Sequence, residues 1–442
     1  MPSAIDHPSL ALVALSGVRV REAELAELGM SLPGLGPRGS AIAALPPLGV
    51  LTLAGLTPDD WGISLHEAAR VDDELIERIV RDRPTLVGIS ALTASILEAY
   101  ALADALRREG LHVVLGGLHV TACPTEALEH ADAIVVGDGE PVWTQVLEDA
   151  RTGVLRPVYK PDRPFDMRHA PLPRYDLLGR ARRQRFTMQA SRGCPFACDF
   201  CAASRLLGPF RSKPADRIRD ELRAITAIDP RPAIELADDN TFALGGPHSD
   251  LLDALGESDA RWFTEADWRL GENPAVLERL AESGCVQVLV GLESLVHRHE
   301  GMGAKKTEMP RMLDAVRAIQ AAGVAVIGCF IVGSDGEDEA SLERLIEFLQ
   351  HDPCADAQVT LQTPFPGTAL RRRLEREGRL LPDRDWSHCT LFDVTYRPDR
   401  MTPEALQSGY ARVLASAFDE RAHRRRGAIR RQVWRQNPRM RP

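Results

Sequence analysis

Twice along this chain short apolar runs alternate with segments of helical spacing, and no other pattern in it restricts the fold as much. The first series opens with LALVALSGVRV and continues through SLHEAARV, TLVGISAL, LHVVLGGLHV and AIVVGDGE. Between them stand DDELIERIVRDR, SILEAYALADALRREG, PTEALEHA and EPVWTQVLEDARTG, each with helical periodicity. Runs that are apolar on both faces suit central strands covered by helices on either side, so the pattern predicts a doubly wound parallel α/β sheet. The glycine- and proline-rich stretch after the first run reads as a loop, leading into a short helix from Pro47 to Leu56. Ligands of such sheets bind at the carboxyl ends of the strands. Those ends carry Ser90 and Thr93, then Gly116, Gly117 and His119, then Gly137, Gly139 and Glu140. This half of the chain therefore reads as a binding platform.

The second series runs RFTMQA, AIELADDNTF, RWFTEADW, CVQVLVGLES, VAVIGCFIVG and AQVTLQTPFPGT, again with helical stretches between. Six βα-type repeats are consistent with a partial parallel barrel whose chemistry sits at the strand carboxyl ends, although periodicity alone also allows an open sheet. Polar residues and glycines gather at those ends: Asp238, Asp239 and Asn240; Glu265 and Asp267; Gly291, Glu293 and Ser294; Gly328, Ile331 and Gly333; Gln362, Thr363 and Pro364. Bland alternatives exist for them: an Asx turn with a helix cap at Asp238 and Asp239, solvent for Glu265 and Asp267, a structural cap at Glu293.

After RFTMQA comes SRGCPFACDFCAAS, with Cys194, Cys198 and Cys201 spaced C-x₃-C-x₂-C. Three thiolates on one short loop cannot close a tetrahedral zinc site. They can hold three irons of a 4Fe–4S cubane and leave the fourth iron to a non-protein ligand, and thiolate is the soft, anionic donor that iron–sulfur chemistry wants. A disulfide with a spare thiol, or core packing, are the alternatives. Eight cysteines in 442 residues, five of them scattered, suit a reducing compartment better than a disulfide framework. A zinc-binding regulator and a non-catalytic iron–sulfur electron carrier remain as rivals, though a carrier usually has a fourth cysteine close by. The net charge of −9 offers no basic face for nucleic acid. No apolar run is long enough to span a membrane, and the first residues lack a signal-peptide pattern. A cytoplasmic location is expected.

The cysteine loop, with Phe196, Phe200 and its acidic neighbours, resembles the radical S-adenosylmethionine (radical SAM) superfamily. The resemblance implies that the open iron binds the amino and carboxylate groups of S-adenosylmethionine, and that one electron cleaves this cofactor to methionine and a 5′-deoxyadenosyl radical. The succession PPLGVLTLAGL, VGISALTASI, VVLGGLHVTACPTEAL and ADAIVVGDGEPVW resembles the N-terminal cobalamin-binding domain of the B12-binding subgroup. The D-x-H-x-x-G signature that supplies a cobalt-ligating histidine is absent, so His119 reads as a loop histidine; members of the subgroup often hold cobalamin without one. Carried over, the resemblance gives Asp238 and Asp239 to the cofactor's ammonium, Glu265 and Glu293 to its ribose or sulfonium side, with Gly291 and Ser294 beside Glu293. Phe200 also falls among the cofactor-binding residues. Gly328, Ile331 and Gly333 match a G-x-I-x-G strand that supports adenine, Thr363 and Pro364 lie near it, and the strand ends Ser90 to Glu140 face cobalamin.

Four parts are expected: 1–154, a B12-binding-type Rossmann-like domain; 155–183, a linker; 184–375, a partial (β/α)6 radical SAM barrel; and 376–442, a helical extension forming a lid. Cys389 or Tyr396, where that lid begins, can donate hydrogen to a substrate radical. Arg211, Lys213, Lys305 and Lys306 are candidates for a carboxylate or phosphate, or solvated surface. The implied reaction is cobalamin-dependent C-methylation of a small molecule, a secondary metabolite or lipid, with electrons from an external flavodoxin- or ferredoxin-type donor. The alternative is radical dehydration or deoxygenation of a sugar or aminoglycoside on a B12-type domain without cobalamin.

Overall fold

The computed structural model describes residues 7–35, 39, 44–179, 185–246, 248–297 and 300–440. Residues 1–6 (read as free of a signal peptide), most of 36–43 in the glycine- and proline-rich loop, and the end of the expected linker, 180–183, lie outside the described residues.

The first series builds a six-stranded parallel sheet of β1 (Ser9–Leu15), β2 (Gly62–Ala68), β3 (Leu86–Ser90), β4 (Val113–Gly116), β5 (Ala133–Val135) and β6 (Val158–Tyr159). Their order is β2-β1-β3-β4-β5-β6. Strand side chains alternate between faces, and β1 shows why the fold is doubly wound. Ala11, Val13 and Leu15 pack on α3 (Asp73–Asp82) and α4 (Ile96–Arg108). Leu10, Leu12 and Ala14 pack on α2 (Leu48–Gly55) and α7 (Trp143–Thr152). The carboxyl edge continues into α5 (Leu118–Ala122) and α6 (Pro124–His130); α1 (Ala23–Ser31) follows β1. The stretch expected to be a linker is not wholly one: β6 lies in it and extends the sheet.

The second series forms another parallel sheet, with β7 (Phe186–Met188), β10 (Ala233–Leu236), β11 (Arg261–Asp267), β12 (Cys285–Glu293), β13 (Ala325–Val332) and β14 (Asp356–Leu361) in sequential order. Sequential parallel neighbours are the topology of a partial barrel. Helices α9 (Ala215–Ile228), α10 (Ser249–Gly256), α11 (Pro274–Leu280), α12 (Met309–Ala321) and α13 (Glu339–His351) link successive strands from β7 to β14; α14 (Ala369–Arg376) follows the last. A two-stranded antiparallel ribbon of β8 (Ser191–Arg192) and β9 (Arg211–Ser212) flanks the cysteine loop, with α8 (Ala203–Leu206) between them.

The two helices of the tail do not cover the strand ends, whereas the segment before them, Trp386–His388, packs on Thr93–Ser95 beside the carboxyl end of β3. Helix α15 (Pro403–Ala417) packs along α13, and α16 (Glu420–Trp434) runs to the opposite end of the barrel from the cysteines. There Trp434 Nε1 donates to Val286 O at 2.8 Å, and Asn437 Nδ2 donates to Cys285 O at 2.7 Å and Gly323 O at 3.0 Å. These carbonyls sit at the amino ends of β12 and β13. The arginine run has a local purpose: Arg425 and Arg426 both donate to Leu349 O and to the Asp352 carboxylate at the carboxyl end of α13. Cations there satisfy terminal carbonyls and complement the helix dipole.

Candidate active site

The cysteine loop is fastened at its root by the two carboxylates that end β10. Asp238, fully buried, accepts from Ala190 N (2.8 Å), Ser191 N (2.9 Å), Ser191 Oγ (2.8 Å) and Thr241 Oγ1 (2.9 Å). Asp239 accepts from Gly193 N at 2.9 Å. Gly193 has φ +79, and a Cβ there would stand 2.6 Å from Gly208 O and 2.7 Å from Pro209 O; only glycine fits. On its far side the loop pairs with the segment after β12, Ala197 N donating to Gly301 O and Asp199 N to Glu300 O, both at 3.0 Å. Leu370 N, in α14, donates to Asp199 O at 3.0 Å.

Below the loop lies a cavity of about 280 Å³, lined by the three cysteines, Phe196, Phe200, Asp239, Glu265, Glu293, Lys305 and Ile331, among others. A larger groove of about 530 Å³, between Leu172 and α9, lies away from the strand ends and has no cysteine in its lining. Glu293 reaches the cavity because β12 is irregular: its register with β13 shifts between Gly291 and Glu293, and Glu293 takes φ +63. That left-handed conformation costs a side-chain-bearing residue about 1–2 kcal/mol. Gly291 beside it leaves room for that carboxylate: a Cβ there would come within 2.3 Å of Glu293 Oε1 and push the side chain aside. A bulge that re-aims a side chain is common next to active sites.

The wall opposite the cysteines is acidic. Glu265 lies deep in the barrel but opens on the cavity; burial, then Asp239, Glu235, Glu293 and Asp238, push its carboxyl up to about 7. On the thiol side burial raises Cys198 to about 11, and Lys305, whose Nζ is 4.0 Å from Cys198 Sγ, opposes that rise. A chain of contacts runs from Cys194 through Asn240 to Asp267 and Arg269, and the Arg269 guanidinium lies 4.8 Å from the Phe196 ring centre.

The three thiols stand apart. Among the described residues the one set of ligating atoms all within 4.8 Å of one another is His119, Cys123 and Glu126, not the loop cysteines. A mononuclear zinc site needs its ligands that close; a cubane spreads its thiolates over different irons. Three thiolates on one loop that are not all gathered within 4.8 Å suit a cubane better than a mononuclear zinc site.

Two family models match the chain: the B12 binding domain over residues 39–147 and the radical SAM superfamily over residues 188–349. The chain carries a B12-binding domain followed by a radical SAM domain. Its relatives include the bacteriochlorophyllide d C-8(2)-methyltransferase of Chlorobaculum tepidum, 27% identical over 81% of this chain and 82% of the relative. The hopanoid C-2 methylase of Rhodopseudomonas palustris is 28% identical over 86% and 76%. In fold it is similar to the cobalamin-dependent radical enzyme OxsB, with a TM-score of 0.68 at 15% identity over 92% of this chain and 66% of that one. The methyltransferase TsrM from Kitasatospora setae gives 0.65 at 15% over 94% and 90%. A radical SAM domain implies a 4Fe–4S cluster and S-adenosylmethionine.

Several expected site residues of the radical SAM domain lie off the cavity. Asp238 is spent on the root of the loop. Ser294 donates to Glu337 and accepts from Val296 N and His297 N. Gly328 faces the core, where a Cβ would stand 2.8 Å from Cys354 Sγ. Gly333 has φ +94 and accepts the Tyr396 hydroxyl. Thr363 and Pro364 are buried in the turn after β14, outside the cavity lining. Tyr396 is buried against Gly333 and Gln362, its hydroxyl pKa raised by burial, and Cys389 is pushed up to about 12, also by burial. Neither lines the cavity, so a hydrogen-donor role has no geometric support. Lys213 pairs with Glu221 and Arg211 with Asp138. Lys305, a candidate for a carboxylate or phosphate with solvated surface as the alternative, lines the cavity; Arg269, beside Phe196, was not among the candidates.

In the B12-binding domain His119 is fully buried, its Nδ1 3.3 Å from Thr93 Oγ1, its Nε2 3.5 Å from Glu126 Oε1 and its ring 5.0 Å from Trp386. It has no route to a cobalt ion, and Thr93 is buried with it. Glu140 does not face a ligand either: it pairs with Arg192 at 2.7 Å, and Asp138 pairs with Arg192 at 2.7 Å and Arg211 at 2.9 Å. Gly116, Gly117, Gly137 and the partly exposed Ser90 remain along the carboxyl edge, with Leu92 64% exposed above them.

The acidic wall makes cofactor affinity pH-dependent. S-adenosylmethionine carries a sulfonium and an ammonium, so it favours ionised Glu265, and below about pH 7 its binding must displace a proton. Affinity is expected to rise with pH by up to about tenfold per unit below pH 7 and to level off above it. Glu265→Gln should flatten this slope in calorimetric titrations; an unchanged slope would assign the proton elsewhere.

Proposed function

We propose that this enzyme is a C-methyltransferase: it adds a methyl group to an unactivated carbon of a small, largely apolar molecule, using cobalamin as methyl carrier. The observation that carries the reading is the joint between the two domains. Arg192, two residues before Cys194, is ion-paired to Asp138 and Glu140 on the carboxyl-end loop of the B12-binding domain. The acidic cavity and the edge where a corrinoid binds therefore share one boundary. Relatives named for methylation of a bacteriochlorophyllide and a hopanoid support both the reaction and an apolar substrate.

In this reading Cys194, Cys198 and Cys201 hold the cluster. Asp239, Glu265 and Glu293 receive the cationic groups of S-adenosylmethionine, while Phe200 and Ile331 cover its apolar faces and keep water out. Gly116, Gly117 and Gly137 leave the sheet edge bare, and with exposed Leu92 they form a shelf poor in side chains that suits a flat macrocycle. Among the described residues no imidazole opens onto that edge, so in this reading cobalamin is held without a histidine ligand. When bound, the cluster and S-adenosylmethionine supply hydrogen-abstracting one-electron chemistry, and cobalamin supplies methyl transfer. A cytoplasmic setting with a flavodoxin- or ferredoxin-type donor completes the proposal.

The test is anaerobic reconstitution with cobalamin, then mass spectrometry of candidate polycyclic substrates with methyl-labelled S-adenosylmethionine. The expected result is tightly held cobalamin and labelled methyl in the product. No retained cobalamin, and an unlabelled dehydrated product from a sugar or aminoglycoside, would replace this reading by radical elimination.

A further inference from the structure

A lysine pressed against one ligand of an iron–sulfur cluster is not neutral to its redox chemistry. Lys305 ends the short turn Gly303–Lys305. Its Nζ lies 4.0 Å from Cys198 Sγ and 5.6 Å from the centre of the Phe196 ring. Its main chain is locked: Lys305 N donates to Met302 O at 3.1 Å, and Lys305 O accepts from the buried Trp268 Nε1 at 2.8 Å. The same segment pairs with the cysteine loop through Gly301 and Glu300, and Gly301 has no room for a side chain, since a Cβ would stand 1.9 Å from Ala197 O. Loop and lysine therefore move as one piece.

The other nearby cation is occupied. Arg269 donates from both Nε and Nη2 to the Asp267 carboxylate at 2.8 Å. Lys305 forms no ion pair of that kind among the described residues; of the carboxylates, Glu293, which lines the same cavity, acts on it most, followed by Asp267. Asp239, Glu265 and Glu293 line the same cavity, and their field opposes the entry of an electron into the cluster. Net charge, hydrogen bonds to the sulfurs and solvent exposure set cluster potentials. Reduction adds one negative charge, and a fixed cation at a ligand sulfur stabilises the reduced form more than the oxidised one, with little screening in a buried site.

We propose that Lys305 raises the reduction potential of the cluster, offsetting the acidic wall, so that a low-potential one-electron donor of the flavodoxin or ferredoxin class can reduce it. The step is one electron from donor to cluster, with no bond made or broken. It rests on the cluster reading of the three cysteines. Lys305 is a positioning residue for charge, not a ligand.

The experiment is an EPR-monitored redox titration of the reconstituted full-length enzyme without S-adenosylmethionine, comparing wild type with Lys305→Met, Lys305→Gln and Lys305→Arg. Iron and sulfide contents of the wild type test the cluster reading separately. With the cluster present, Met and Gln are expected to lower the reduction equilibrium constant by about tenfold or more, equivalent to about 59 mV for one electron. Arg should restore most of it. An unchanged midpoint in a fully loaded Met or Gln variant overturns the proposal, as does a weakened S-adenosylmethionine affinity at constant potential, which would assign the ammonium to the cofactor's carboxylate. Failure of both neutral variants to hold a cluster would make Lys305 structural and overturn it too.

Discussion

Replacing Cys194, Cys198 or Cys201 by alanine is expected to abolish both the cluster and turnover while leaving the fold in place. Cys198 and Cys201 bracket one turn, Cys201 N donating to Cys198 O at 3.1 Å, and Cys194 precedes it, so each thiol has its own place on the loop. Of the other cysteines, Cys285 and Cys354 are buried in the core; Cys329, in β13, lines the same cavity, so the alanine variants are also made in a Cys329→Ser background. The loop keeps its shape through backbone and carboxylate contacts that involve no thiol. Thermal unfolding of metal-free protein should therefore shift little for the half-buried Cys194 and Cys201, within the range of about 0.5 kcal/mol usual away from the core, and somewhat more for Cys198, which is 4% exposed. Iron, sulfide and turnover fall together; a variant that keeps all three would remove that cysteine from the ligand set.

Asp238→Ala should act on the opposite quantity. The Asp238 carboxylate accepts four hydrogen bonds at 3% exposure, and its loss leaves two backbone N–H groups and two hydroxyls without that partner. Each orphaned buried donor costs about 1–3 kcal/mol, and a total near 3–5 kcal/mol is expected, matching removal of one partner from a buried charged network. Because the bonds end at Ala190 and Ser191, the cysteine loop should also hold iron poorly. Urea unfolding checks the first effect and iron content the second. Unaltered stability would mean that the loop is held elsewhere.

The two sheets were legible because their strands are near-continuous apolar runs with helical stretches between, and burial on both faces leaves no other use for LALVAL or VVLG. The cysteine loop was legible because three thiols in eight residues have few uses. What misled was the assumption that a polar residue at a strand end faces the ligand. Asp238 and Glu140 meet partners 47 and 52 residues away in sequence, and no local pattern announces those pairings. Glu293 and Gly291 did reach the cavity, by way of a bulge that periodicity cannot reveal. No local pattern announces the partner of the α16 arginines either, because Asp352, which holds two of them, precedes them by more than seventy residues. For Lys305 the sequence leaves both a bound anion and solvent open, because nothing local shows that its turn packs on the cysteine loop.

The most direct test of the account is to add a strong reductant and S-adenosylmethionine to the anaerobic, reconstituted enzyme and measure 5′-deoxyadenosine. The account predicts that it accumulates with wild type and is absent with Cys198→Ala. A wild-type protein with full iron and sulfide content that forms no 5′-deoxyadenosine, with or without cobalamin and substrate, would contradict it.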